Sequence, residues 1–167
     1  MVPAASHLGV LIRVDNPANF DIAGRMRPVA DRLGVKVTAF NLDNDVGTSL
    51  EAAQKAGVHG LLVGADPSFF VMRDLIVAEM IKRRIPAIYS VRDYVLAGGL
   101  MSYAPDYAEL GRRAARYVDR ILKGAHPSDL PIQQAERFEL LVNLKAAAAL
   151  GIKVSPGLLV RADEVIE

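Results

Sequence analysis

The chain is 167 residues long, 51% hydrophobic and 23% charged, long enough for one domain with its own core and no disulfide or metal staple. Twenty Lys and Arg against 19 Asp and Glu leave a formal charge of +1, so no overall field points to nucleic acid or an anionic membrane. There is no Cys, which excludes a disulfide scaffold, a thiolate zinc site, an iron–sulfur cluster and a cysteine nucleophile.

Short β-branched runs alternate with longer segments of helical period, separated by turn residues. Leu8 to Val14 is the first strand-like run and ends at Asp15-Asn16-Pro17. A helix is predicted next, with Ile22, Met26, Val29, Ala30 and Leu33 on one face and Gly34 closing it. Pro28 inside that segment predicts a kink or a late restart. Val35 to Phe40 reads as the second strand, and Val46 to Ala56 as a weaker helix ended by Gly57. Gly60 to Ala65 is nearly continuously apolar, the pattern of a strand buried on both faces. Asp66-Pro67 stops it, and a long apolar helix is predicted over Ser68 to Arg84.

Pro86 to Ser90 is the fourth predicted strand, followed by a short helical stretch near Val91 to Leu96. Gly98-Gly99 leads into a fifth strand, Leu100 to Ala104. Over Asp106 to Leu122, the residues Leu110, Ala114, Tyr117, Val118, Ile121 and Leu122 form a helical stripe, closed by Lys123-Gly124. Ala125 to Glu136 is polar, contains Pro127 and Pro131, and reads as a surface connection. Phe138 to Val142 is a last strand, Lys145 to Leu150 a short Ala-rich helix, and Pro156 to Glu167 a partly helical tail. Strands separated by helices imply right-handed crossovers. The predicted class is α/β, a doubly wound, mostly parallel sheet.

In such a sheet ligands bind beyond the carboxyl ends of the strands. The residues there are Asp15, Asn16 and Pro17; Asp66, Pro67 and Ser68; Tyr89, Ser90 and Arg92; and Ser102, Tyr103 and Pro105. Carboxylates, amides, hydroxyls and rings together suit a small polar organic ligand, although the same residue types are ordinary in turns and caps. Asp66 is both a candidate ligand contact and a helix cap; as a cap alone, Asp66→Asn would cost less than about 1 kcal/mol. Of Phe69-Phe70, one ring is expected in the core and the other over the rim. Arg112, Arg113 and Arg116 read as a solvated helix face.

Several chemistries lack their residues. No G-x-G-x-x-G follows the first strand and no G-x-x-x-x-G-K-[ST] occurs. His7, His59 and His126 stand in no metal-ligand spacing, so neither metal nor cofactor is expected. Asp15 and Asp66 stand where a signalling receiver keeps acidic residues. However, Asn16-Pro17 replaces its second acid and Ala104-Pro105 its Lys. No apolar run reaches the roughly 18 residues of a membrane helix, and no signal-peptide pattern stands at the N-terminus.

The stretches LLVGADPSFF, RRIPAIYSVRDYVLAGGLMSYAPDYAELGRRAARYVDRILKGAHPSDLPIQ, RFELLVNLKAAAALGI and LLVRADEVIE, with the NPAN turn of Asn16 to Asn19, resemble one family. It is the tryptophan/tyrosine-type ABC-transporter substrate-binding proteins, of the type I periplasmic-binding class. Phe20 to Val58 matches in pattern only. The resemblance implies two α/β lobes of flavodoxin-like type joined by crossing strands, with solute held between them, in chains of roughly twice this length. This chain resembles the second part. Residues 1–124 would be the ligand-binding lobe. Residues 125–167 would be a connecting segment with a final strand, short helix and tail, packing on that lobe or on a first lobe not present in the match.

The implied function is non-enzymatic binding of an amino acid or aromatic-type solute, with closure of the cleft sensed by an ABC permease. In that reading Asn16 and Asp66 accept from a ligand ammonium, Tyr89 and Tyr103 supply rings and hydroxyls, and Phe69 is an apolar lid. The implied location is periplasmic or extracytoplasmic; a chain complete as it stands would be cytoplasmic. Two rivals are a self-associating domain without a tight ligand and an enzyme using Asp66 with Tyr103 or Arg92. A homodimer is expected through the helix at Asp106 to Leu122 or the tail from Pro156, surfaces left by the missing lobe.

Overall fold

A computed structural model describes residues 5–17, 19, 21–43 and 45–167; Ala18, inside the predicted NPAN turn, lies outside them. In chain order the elements are β1 (His7–Ile12), α1 (Ile22–Arg32), β2 (Lys36–Asn41), α2 (Val46–Lys55), β3 (Gly60–Val63), α3 (Pro67–Val71), α4 (Arg73–Lys82) and β4 (Ala87–Tyr89). They continue as α5 (Asp93–Leu96), β5 (Met101–Pro105), α6 (Tyr107–Leu122), a 3-10 turn (Pro127–Asp129), β6 (Phe138–Asn143), α7 (Leu144–Ala149), α8 (Pro156–Leu159) and β7 (Glu164–Ile166). Among the described residues seven strands form one sheet in the order β2-β1-β3-β4-β5-β6-β7. Every pair is parallel except β5 with β6.

The chain moves from β1 outward to β2, then returns past β1 to β3, β4 and β5. Right-handed crossovers therefore place α1 on one face and α2, α4 and α5 on the other. On the second face Leu11, Val63, Ala87 and Tyr89 pack with Leu50, Ile76, Met80 and Tyr94 in the main core. A smaller core gathers Leu100, Leu140, Val142, Ala146 and Ala147 around β6 and α7. The first face is less complete. An apolar groove of about 380 Å3 runs along it past Leu8, Met26, Leu62, Ile88 and Met101.

Three features differ from the sequence reading. The helix predicted over Ser68 to Arg84 is two helices, because the backbone at Met72 (φ −90°, ψ 11°) leaves helical geometry. The break lets Phe69 enter the core while Ile76, Val77 and Met80 face the sheet. The helix containing Pro28 starts at Ile22 and runs through Pro28 without a late restart. The tail ends in a strand, β7, whose three residues are too few to show a period. The helix α6, whose stripe was expected to stay uncovered, buries none of its residues. Its ties run from Asp106, which caps it through the Glu109 amide (2.8 Å), and from Arg113 to Glu136 (2.9 Å).

Candidate functional site

The switch in strand order falls between β1 and β3, where the two connections leave in opposite directions and open a crevice at the strand ends. Two loops meet there. The β1 exit turns tightly, with the Asn16 amide on the Arg13 carbonyl (3.1 Å) and the Asn19 amide on the Asn16 carbonyl (2.9 Å). The β3 exit passes so close to β1 that a Cβ on Gly64 would lie 2.9 Å from the Leu11 carbonyl oxygen. Any larger residue would force the strands apart.

Asp66 joins the loops. Its Oδ2 accepts from Asn16 Nδ2 (2.7 Å) and Asn19 Nδ2 (3.1 Å), and its Oδ1 accepts from the Ser68 amide (2.8 Å) and the Ser68 hydroxyl. Arg13 in turn reaches Ser68 Oγ at 3.4 Å. Burial by itself would raise the Asp66 pKa; the bonds from Asn16 and Ser68, with the Arg13 charge, outweigh it and hold the carboxyl below its usual range. The group is 8% exposed. It caps α3 and fixes the two loops to each other, a positioning role carried by an ionised carboxylate.

Beside it an aromatic series forms a wall. Tyr94 stacks on Tyr89 at 4.8 Å and meets Phe70 edge-on at 6.5 Å, and the Arg73 guanidinium lies 4.9 Å over the Phe70 ring. The stack depends on Gly99, where a Cβ would stand 2.6 Å from the Tyr89 ring. Burial pushes the hydroxyls of Tyr89 and Tyr94 well above the usual phenol range, so both stay neutral. A rim cavity of about 310 Å3 opens here, between Asp66 and Pro67 on one side and Phe70, Ser90, Tyr94 and Tyr107 on the other.

Asn16 and Asp66, named from sequence, are in direct contact at this rim. Phe69 is fully buried in the core, so it cannot cover the cleft as a lid; its neighbour Phe70, 40% exposed, carries the ring at the rim. Tyr89 is likewise buried and supports Tyr94 from below rather than presenting a hydroxyl. Tyr103 is exposed but stacks on Phe138 (5.5 Å) on the antiparallel β5–β6 pair, outside the rim cavity. Sequence reasoning missed Asn19, Tyr94 and Tyr107. The NPAN turn was the available signal for Asn19, and position just past strands four and five for the tyrosines.

The rim holds rings, a bonded carboxylate and hydroxyls. His7 bonds Thr38 (2.9 Å) at the far end of β1, and His59 and His126 are exposed away from the rim. Among the described residues Ser68 therefore has the Asp66 carboxylate as its partner and no histidine beside it. Among the described residues no group of three His, Cys, Asp or Glu side chains could hold a metal, and no helix is long and apolar enough to cross a membrane.

Residues 1–166 match the family model for ABC transporter substrate binding proteins. The chain belongs to that family. Solved structures similar to this chain include a conserved domain protein of Vibrio cholerae (TM-score 0.88, 23% identical, covering 98% of this chain and 56% of that one). Another is the Streptococcus pneumoniae ABC domain in complex with L-Trp (TM-score 0.88, 23% identical, 99% and 57%). At that identity they show the fold, one lobe of a periplasmic-binding-protein-like architecture. An uncharacterized protein of Rickettsia prowazekii is 32% identical over 87 residues, 47% of this chain and 29% of that protein. The chain thus spans little more than half the length of the solved structures and under a third of the curated relative.

Proposed function

We propose that this chain supplies one wall of the solute cleft of an ABC-type uptake system and performs no catalysis. The observation that carries the reading is the rim at the strand-order switch: Asp66 locks two loops while Phe70, Tyr94 and Tyr107 line an adjoining cavity of about 310 Å3. The exposed rings of Phe70 and Tyr107, backed by the buried Tyr94 and beside a polar end group, suit an amino acid or small aromatic solute. The L-Trp bound by the pneumococcal structural relative supports that class. Asn16, with Asp66 behind it, would meet the polar end of the solute, and Tyr103 would act from the crossing strands when a second lobe closes. Residues 1–124 would form the lobe proper and 125–167 the segment that returns to the hinge.

A solute bridging this wall and a second lobe would shift a hinge equilibrium toward the closed form, which a permease subunit reads. The setting is extracytoplasmic, as is usual for the family. The test is a thermal-shift screen with amino acids and aromatic acids, since a specific ligand raises the melting point by mass action. A saturable rise with one solute class, weakened by Phe70→Ala, supports the reading; turnover of the hit would replace it with an enzyme on the same fold. A second reading rests on α6, whose Val118, Ile121 and Leu122 are exposed. Two copies joined through that helix would cover the stripe, and light scattering showing a dimer that dissociates in Leu122→Ser supports it.

A further inference from the structure

On the α5 side of the sheet a second cavity, of about 260 Å3, lies over β5 and β6. Ser102 and Leu141 face each other across that antiparallel pair, as do Ala104 and Glu139, and all four line the cavity. Val91 and Tyr107 separate it from the rim cavity and line both. Ser102 is 1% exposed, and its Oγ has no hydrogen-bond partner among the described residues. A buried hydroxyl costs free energy unless paired, and Ala or Val would occupy this strand position without that cost. A polar group is therefore kept on the strand wall of a small recess, between the apolar Ala104 and Leu141.

The charges around it have one sign in excess. Arg92 reaches Glu139 at 3.5 Å and Glu164 at 2.8 Å, so one guanidinium serves two carboxylates. Asp93 and Asp106 also line the cavity. Asp106 accepts from the Glu109 amide and stands 3.6 Å from Arg137 and 3.9 Å from Arg112, both of which lie outside the lining. Of the four charged side chains on the wall three are acidic, which favours a cation over an anion.

We propose that this cavity binds a primary ammonium group carried on a small apolar body. Ser102 Oγ and the Glu139 carboxylate accept the ammonium protons, and Val91, Ala104, Pro105 and Leu141 contact the apolar part. The site is distinct from the rim, so it stands whether or not the rim binds a solute. The test titrates the full chain with benzylamine, benzyl alcohol and benzoate, following the melting point and backbone amide NMR shifts. Benzylamine is expected to give a saturable rise and to shift the Ser102 and Leu141 amides, with neither control doing so. Glu139→Gln and Ser102→Ala should each weaken benzylamine by about fivefold or more, and Ser102→Val should abolish binding by filling the recess. Ser102→Ala should also leave the ligand-free melting point unchanged or higher, since it removes an unpaired hydroxyl. No saturable response to benzylamine, an equal response to benzyl alcohol, or unchanged affinity in Ser102→Val would overturn the proposal.

Discussion

Two helices of this chain, α4 and α6, were both legible from their apolar residues, and the structure treats them in opposite ways. α4 puts Ile76, Val77 and Met80 into the main core against β3 and β4. α6 is longer and carries the sharper apolar stripe, yet it buries nothing, and Leu122 is 81% exposed. Periodicity reports which side of a helix is apolar; it does not report what covers that side. For α4 the cover is the sheet of the same chain. For α6 the described residues supply no such cover.

The largest contrast is expected in stability. Ile76→Ala removes a fully buried side chain and should cost about 2–5 kcal/mol, whereas Val118→Ala on α6 should stay within about 0.5 kcal/mol. Urea denaturation of the two variants checks this; equal losses would mean that α6 is packed in solution.

Next comes the cap of α3 against the cap of α6. Read from sequence, Asp66→Asn is a mild change. The structure makes it larger, because three side chains donate to that carboxylate and an amide would turn a donor toward Asn16, Asn19 or Ser68. The expected loss is about 1.5–3 kcal/mol, against about 1 kcal/mol for Asp106→Ala at α6.

A pH titration extends the comparison to the packed side of the sheet. The Tyr89 and Tyr94 pKa values are raised in the fold, so the folded state holds those protons more tightly than the unfolded chain. Their contribution is complete below roughly pH 10 and falls as pH rises beyond it. Asp66 is shifted down, so its contribution is present above roughly pH 4 and is lost as pH falls. Melting points across pH should thus drop at both ends, and Tyr94→Phe should remove part of the alkaline drop only.

The smallest stability effect belongs to Leu122→Ser. It should leave the urea midpoint unchanged while reducing self-association measured by light scattering.

The candidate site was legible at the level of loops and less so at the level of rings. Asn16 and Asp66 were found because turn residues past a parallel strand stand at the sheet's carboxyl edge whatever else happens. Phe69 and Phe70 differ by one position, and only the cap at Asp66 and the break at Met72 set which of them faces the core. Tyr89 reads as a rim residue by its place at the end of a strand. Its alternation within β4 sends it inward instead, under Tyr94.

The sequence by itself determined the order of the first six strands and most of the helices between them, the parallel doubly wound class and the family. The order and the class follow from local periodicity, turn residues and crossover handedness, all written in short segments, and the family from the resemblance of longer stretches such as Pro86 to Pro131. Tertiary structure alone decided that Asp66 is held by two asparagines from a loop some 50 residues away in sequence, that β7 joins the sheet edge, and that Ser102 lies buried without a partner. Each of these depends on which distant surfaces come into contact, and no local pattern encodes a contact between segments that meet only when the sheet is assembled.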